Sequence, residues 1–191
     1  MLKLFKMDSH HQQINKMLKL AFYCFLIFLF FYGSCSYSYE SENKLKTVIV
    51  GKLAKYITWK KKNSSKFVIT VLGNEFGTLF DEVYLHKQIK HKPVEIKYIK
   101  SIDELKKSEV LFISKSNRDN LNDILAYTKH KNILTISDKR GFAQKGGIIQ
   151  LYFLDQMLKI RINVEKLKEE GFGIDRTLLR VVDVLKRDKS L

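Results

Sequence analysis

The chain has 191 residues, enough for one domain and a targeting segment and too short for two well-filled cores. Its 45% hydrophobic and 12% aromatic content excludes a disordered polymer. A formal net charge of +15 would suggest nucleic acid in a cytosolic protein, so the compartment has to be read next.

Lys16 and Lys19 precede an unbroken apolar run from Leu20 to Tyr32. Its 13 residues match a signal-peptide core and fall short of the roughly 20 that span a bilayer as a helix. Ser36-Tyr37-Ser38 has the small-x-small form of a cleavage site, which makes residues 1–38 the expected signal peptide and 39–191 a single mature domain. Met17 would give a more ordinary signal peptide than Met1. An uncleaved anchor is one alternative. Lipidation is another, because Gly33-Ser34-Cys35 is like the end of a lipobox, although the bulky Tyr32 stands where a Leu-like residue is wanted. Export would place the protein in the periplasm, with membrane attachment only if Cys35 is lipidated or the leader stays. Both cysteines, Cys24 and Cys35, lie in this segment, so the mature domain has no disulfide to lean on.

Removing the leader leaves 31 basic against 19 acidic residues, spread along the chain and not gathered in one stripe. An exported protein meets no nucleic acid. The excess then reads as a solvated lysine-rich surface, with acidic proteins or anionic headgroups as the partners it could attract. Pro93 is the one proline, and neither a Gly/Ser linker nor a repeat divides the chain.

In chain order, the apolar spacing of Leu45, Val48, Ile49, Leu53, Tyr56 and Ile57 predicts a helix over 41–58. Phe67–Leu72 is a buried strand, and a weaker helix follows over 77–88. Residues 94–99 alternate as a strand nearer an edge, and 103–107 make a short helix. Val110–Ile113 and Ile133–Ile136 are buried strands flanking a helix over 117–130. Ile148–Phe153 and Met157–Val164 then form an antiparallel hairpin across Leu154-Asp155-Gln156. A helix over 165–170 stops at Gly171, and Asp175 caps a last helix bearing Leu178, Leu179, Val182 and Leu185. Strands separated by helices predict a three-layer α/β/α sandwich with a mostly parallel sheet, ending in the hairpin and two helices.

Catalytic signatures are missing. Gly73-Asn74-Glu75-Phe76-Gly77 follows a strand but lacks both the G-x-G-x-x-G spacing and a Walker lysine. His86 and His91 are five apart, off a common helix face, and no G-x-S-x-G elbow occurs. Asp81-Glu82 and Glu169-Glu170 are neighbours whose side chains diverge around a helix. No enzyme, cofactor or metal is expected. Ser137-Asp138 lies just past a strand's carboxyl end, where open α/β sheets bind ligands, so a small-molecule receptor using that edge and Gly73 is the alternative function.

Several pieces, in order, carry a resemblance: Lys55-Tyr56-Ile57-Thr58-Trp59, Phe67–Gly73, Val110–Ser114, Leu134–Asp138, Gly141-Phe142, Gly146–Ile149, Ile162-Asn163-Val164 and Leu178-Leu179-Arg180. Together they resemble the YfiR/HmsC family of periplasmic regulators from Lys44 to about Leu185. The resemblance implies a dimeric, non-catalytic protein that holds the periplasmic part of an inner-membrane diguanylate cyclase, or of a sensor kinase, inactive. Its release would raise cyclic di-GMP and promote biofilm growth. It also implies a partner-binding surface around the terminal hairpin and the following helix, with Ile149, Leu167 and nearby Phe142 as contacts. Two departures stand out. Arg161 replaces a glutamate that many relatives carry two residues before the hairpin asparagine, which reverses a charge at the expected contact. Ser108-Glu109 stands where relatives often have a cysteine, so a disulfide-based redox response does not carry over.

Overall fold

The computed structural model describes residues 35–59, 64–73 and 75–185. The expected signal-peptide core and the apolar run it rests on lie outside them. Two compact units divide the chain, Met1–Glu42 and Asn43–Leu191; of the first, only residues 35–42 are described, and they are helical. Among the described residues no helix is long and apolar enough to cross a membrane.

Helix α1 (Cys35–Tyr56) begins earlier than its apolar spacing suggested, so the expected cleavage point falls inside helical backbone. Ile57–Thr58 then leaves the helix as a short strand, β1. The main sheet contains β2 (Phe67–Leu72), β3 (Gln88–Ile89), β4 (Lys92–Ile99), β5 (Val110–Ile113), β6 (Leu134–Ser137), β7 (Ile149–Leu154), β8 (Met157–Ile162) and β10 (Asp183–Val184). Their spatial order is β3-β4-β2-β5-β6-β7-β8-β10. From β4 to β7 all neighbours run parallel, as the crossover helices require. The predicted α/β class with a mostly parallel sheet and a closing hairpin is what the structure has.

Period-two alternation sorts the central strands onto two faces. Ile69, Val71, Val110 and Phe112 meet α1 and α2 (Leu79–Tyr84) through Val50, Leu53 and Phe80. Leu72, Leu111 and Ile113 meet Ile124 of α3 (Leu121–Thr128) on the other side. That is why these strands read as unbroken apolar runs: both faces are covered. Helix α1 approaches closely because residue 51 is glycine. A Cβ there would lie 2.5 Å from the Tyr84 hydroxyl oxygen. That hydroxyl donates to the Thr47 carbonyl at 2.6 Å and accepts from the Gly51 N–H at 2.6 Å. Burial pushes its pKa well above the ordinary tyrosine range.

Three expectations change. The helix over 77–88 is only α2, because Lys90 and His91, both at positive φ, turn the chain tightly between β3 and β4. The helix over 103–107 is a 3₁₀ turn (Ile102–Glu104) closed by a Ser101–Glu104 capping box. The last helix shortens to α5 (Arg176–Leu179), capped by Asp175, after which β10 pairs with β8. Between α4 (Val164–Glu169) and α5 lies β9 (Gly173–Ile174), which pairs antiparallel with β1 in a separate two-stranded sheet.

Candidate functional site

Open α/β sheets bind ligands where strand order reverses at the carboxyl edge, here between the ends of β2 and β5. In this protein that crevice is occupied by its own side chains. Gly73, at φ 104°, brings the chain close to Ser114. The Ser114 hydroxyl donates to Glu75 at 2.5 Å, and Lys115 reaches the same carboxylate at 3.4 Å. Ser137 donates to the Ile113 carbonyl and accepts from the Lys139 N–H. Asp138 accepts from the Lys115 N–H at 2.7 Å through one oxygen and pairs with Lys46 of α1 at 2.9 Å through the other. The Lys46 and Asp138 side chains are only 4% and 2% exposed, so the pair is a buried ionic tie between α1 and the edge. Lys46 Nζ also sits 5.8 Å from the Phe153 ring, which extends the tie to the hairpin. Ser137 and Asp138 are thus committed to intramolecular bonds.

At the opposite, amino edge of the sheet lies a cavity of about 540 Å³. Val68, Leu105 and Ile133 give it an apolar lining, with Lys106, Lys107 and Glu109 among its polar groups. Ser108 and Glu109, just before β5, border it. Ser108 donates to the Val68 carbonyl at 3.1 Å, and Glu109 accepts from the Val68 N–H at 2.7 Å. A hydroxyl and a carboxylate therefore tie the start of β2 to the start of β5. Among the described residues no group of three or more His, Cys, Asp or Glu is placed to hold a metal ion.

The hairpin β7–β8 pairs Ile149 with Ile162 at its base and Leu154 with Met157 at its tip. Asp155 and Gln156 turn the chain at φ 49° and 61°, the two-residue geometry favoured by strand twist. Its base is welded into the core. Asn163 caps α4 by accepting from the Lys166 N–H, and its amide donates to the Ala143 carbonyl at 3.1 Å.

The four residues expected to meet a partner fare differently. Phe142, Ile149 and Leu167 are fully buried, and in this conformation none presents its side chain to another molecule. Ile149 and Leu167 share one core, while Phe142 lies in the cluster on the other face of the sheet. Arg161 is half-buried on β8, its guanidinium stacked 4.9 Å from the Tyr152 ring and 3.9 Å from Asp183. The Tyr152 hydroxyl donates to Asp183, which holds its pKa above the usual tyrosine value. Arg161 has thus found an acidic partner in its own chain. Cys35 is the first residue of α1, and the residues of the expected leader before it lie outside the described residues.

Sequence reasoning passed over the residues that are exposed at this end. Leu154 and Met157 are 52% and 55% exposed and lie opposite each other at the hairpin tip. The signal was available: two apolar side chains flanking a two-residue turn have no core to enter.

None of the curated proteins matches the chain in sequence. Among solved structures, the ABC domain in complex with L-Trp from Streptococcus pneumonia superposes with a TM-score of 0.53 at 14% identity. The match covers 73% of this chain and 62% of that one, and at such identity it supports the α/β fold alone. The profile of the YfiR/HmsC-like family matches residues 43–182, from within α1 to the residue before β10. Those residues contain every strand of the main sheet except β10, with the hairpin among them, and the chain therefore belongs to the YfiR/HmsC-like family.

Proposed function

We propose that the protein is an exported periplasmic regulator, cleaved near residue 38, whose domain over 39–191 works as a homodimer. It represses an inner-membrane diguanylate cyclase or sensor kinase by gripping its periplasmic part, and so controls cyclic di-GMP signalling without catalysis. The observation that carries this reading is family membership over residues 43–182. The hairpin tip supplies the grip. Leu154 and Met157 form a small apolar knob at the hairpin tip, next to the part-exposed Phe153–Leu158 pair, and Arg161 and Tyr152 lie farther down the same strands with Asp183 beside them on β10. Phe142, Ile149 and Leu167 enter as the residues that fix the hairpin's seat.

The test is capture of membrane proteins by the exported protein in its own cell, with cyclic di-GMP measured in parallel. The wild type should recover a cyclase or kinase. Leu154→Glu/Met157→Glu should lose it and raise cyclic di-GMP, with stability changed by less than about 0.5 kcal/mol because both sites are exposed. Recovery of no such membrane protein by the wild type would overturn the reading.

The cavity at the amino edge favours a second reading, a small-molecule receptor. A ligand present at 100 times its dissociation constant should add about 2.7 kcal/mol of stability. L-Tryptophan, the ligand of the solved ABC domain, is a first compound for a thermal-shift series. A series in which no compound moves the midpoint would remove this alternative.

A further inference from the structure

Two stretches of the chain contain no acidic residue at all: residues 43–56 on α1 and residues 83–94 around the β3–β4 turn. The fold brings them together. Lys90 Nζ donates to the Lys55 carbonyl at 2.7 Å, and the Tyr84 hydroxyl holds the backbone of α1 at Thr47 and Gly51. Lys52 and Lys55, three apart on α1, are exposed, as are His86, Lys87, Lys90 and His91. Acidic groups flanking the turn are occupied elsewhere. Glu82 accepts from Thr78 at 2.9 Å, Glu95 pairs with Lys66 and Lys97, and Asp81 bonds the Tyr98 hydroxyl. At the entry to this cationic turn stands Leu85, 64% exposed. Positive φ at His86, Lys90 and His91 fixes the turn's shape, so it is presented already formed.

From this arrangement we infer that the β3–β4 turn and the carboxyl-terminal turn of α1 form a docking surface for anionic lipid headgroups, with Leu85 entering the interface. An exposed cluster of lysines suits a partner with dense negative charge, and each lysine near an anionic bilayer strengthens binding about fivefold, a ratio equal to ~1 kcal/mol. A protruding leucine beside those lysines suits a surface whose apolar layer begins just below its charges. An acidic protein would have to supply both a matching charge array and a pocket for Leu85. This surface is separate from the hairpin tip, and the inference does not depend on the regulatory reading. It adds a membrane contact that needs neither lipidation nor a retained leader.

The experiment partitions the full chain onto vesicles of phosphatidylglycerol with phosphatidylcholine and onto phosphatidylcholine alone, at low and high salt. The readout is the ratio of the two partition coefficients, from which apolar insertion of the leader cancels. Lys52→Glu/Lys87→Glu should lower that ratio by about 25-fold or more, whereas Lys129→Glu/Lys145→Glu, the same charge change beside α3, should lower it less than threefold. Leu85→Ser should weaken binding to anionic vesicles without altering its salt dependence. Should the glutamate pair fail to fold, Lys52→Gln/Lys87→Gln replaces it, with the fall still expected. Equal losses in the two charge-reversed pairs, a wild-type ratio near one, or undiminished vesicle binding by the Lys52/Lys87 variant alongside loss of a protein partner would each overturn the inference.

Discussion

Lys46→Ala should destabilise the folded domain by about 3–5 kcal/mol, because it strands the Asp138 carboxylate in a place that water does not reach. The direct bond is only part of that figure. The Asp138 side chain is 2% exposed and, among the described residues, its other partner is the Lys115 N–H, so the abandoned oxygen faces the cost of a buried, unpaired charge. Removing both charges should hurt less than removing one. Lys46→Met with Asp138→Asn ought to recover at least 1–2 kcal/mol relative to Lys46→Met alone, measured by urea unfolding with the slope unchanged. A single substitution costing under about 1 kcal/mol would mean that this tie is solvated in solution.

The second large effect concerns Phe142 and Gly147. Phe142→Ala should cost about 3–5 kcal/mol, the usual range for deleting a fully buried aromatic ring. Gly147→Ala attacks the same contact from the other side. A Cβ at 147 would lie 2.2 Å from the Phe142 ring, and the Phe142 carbonyl accepts from the Gly147 N–H at 3.0 Å, so neither part yields easily. The two changes should therefore couple: Gly147→Ala in the Phe142→Ala background should cost less than in the wild type by more than about 1 kcal/mol. If Phe142 acted by touching a partner instead, its truncation would leave the unfolding midpoint nearly unchanged and abolish binding.

Much of this fold is legible in the sequence because its strongest signal is burial. Phe67–Leu72 and Val110–Ile113 are covered on both faces, and an apolar run of strand length between turn residues reports that directly. The misread elements are those that local pattern does not determine. Lys90 and His91 turn the chain at positive φ without glycine or asparagine to announce it. Val182 reads as a helical position, but Asp183 and Val184 find β8 beside them, and a two-residue parallel pairing is decided by distant chain. The same divide runs through the candidate site. Resemblance points to the hairpin and the helix after it, yet it carries identities and not exposures, and three of the four named residues are buried. The tie between Lys46 and Asp138 joins residues 92 apart: the strand end marks Asp138, but nothing local names Lys46 as its partner.

The small ladder of β1 and β9 has a consequence for how the domain comes to be folded. Ile57 and Thr58 lie near the start of the domain and find their partners, Gly173 and Ile174, only when nearly all of it is present. An early segment that must wait for a late one makes the native topology slow to close, since loop entropy is lost before the contact is made. In a polypeptide emerging amino end first, this ladder would stay unmade until the last quarter arrived, leaving the end of α1 unfastened while the central strands β4, β2, β5 and β6 were all already present.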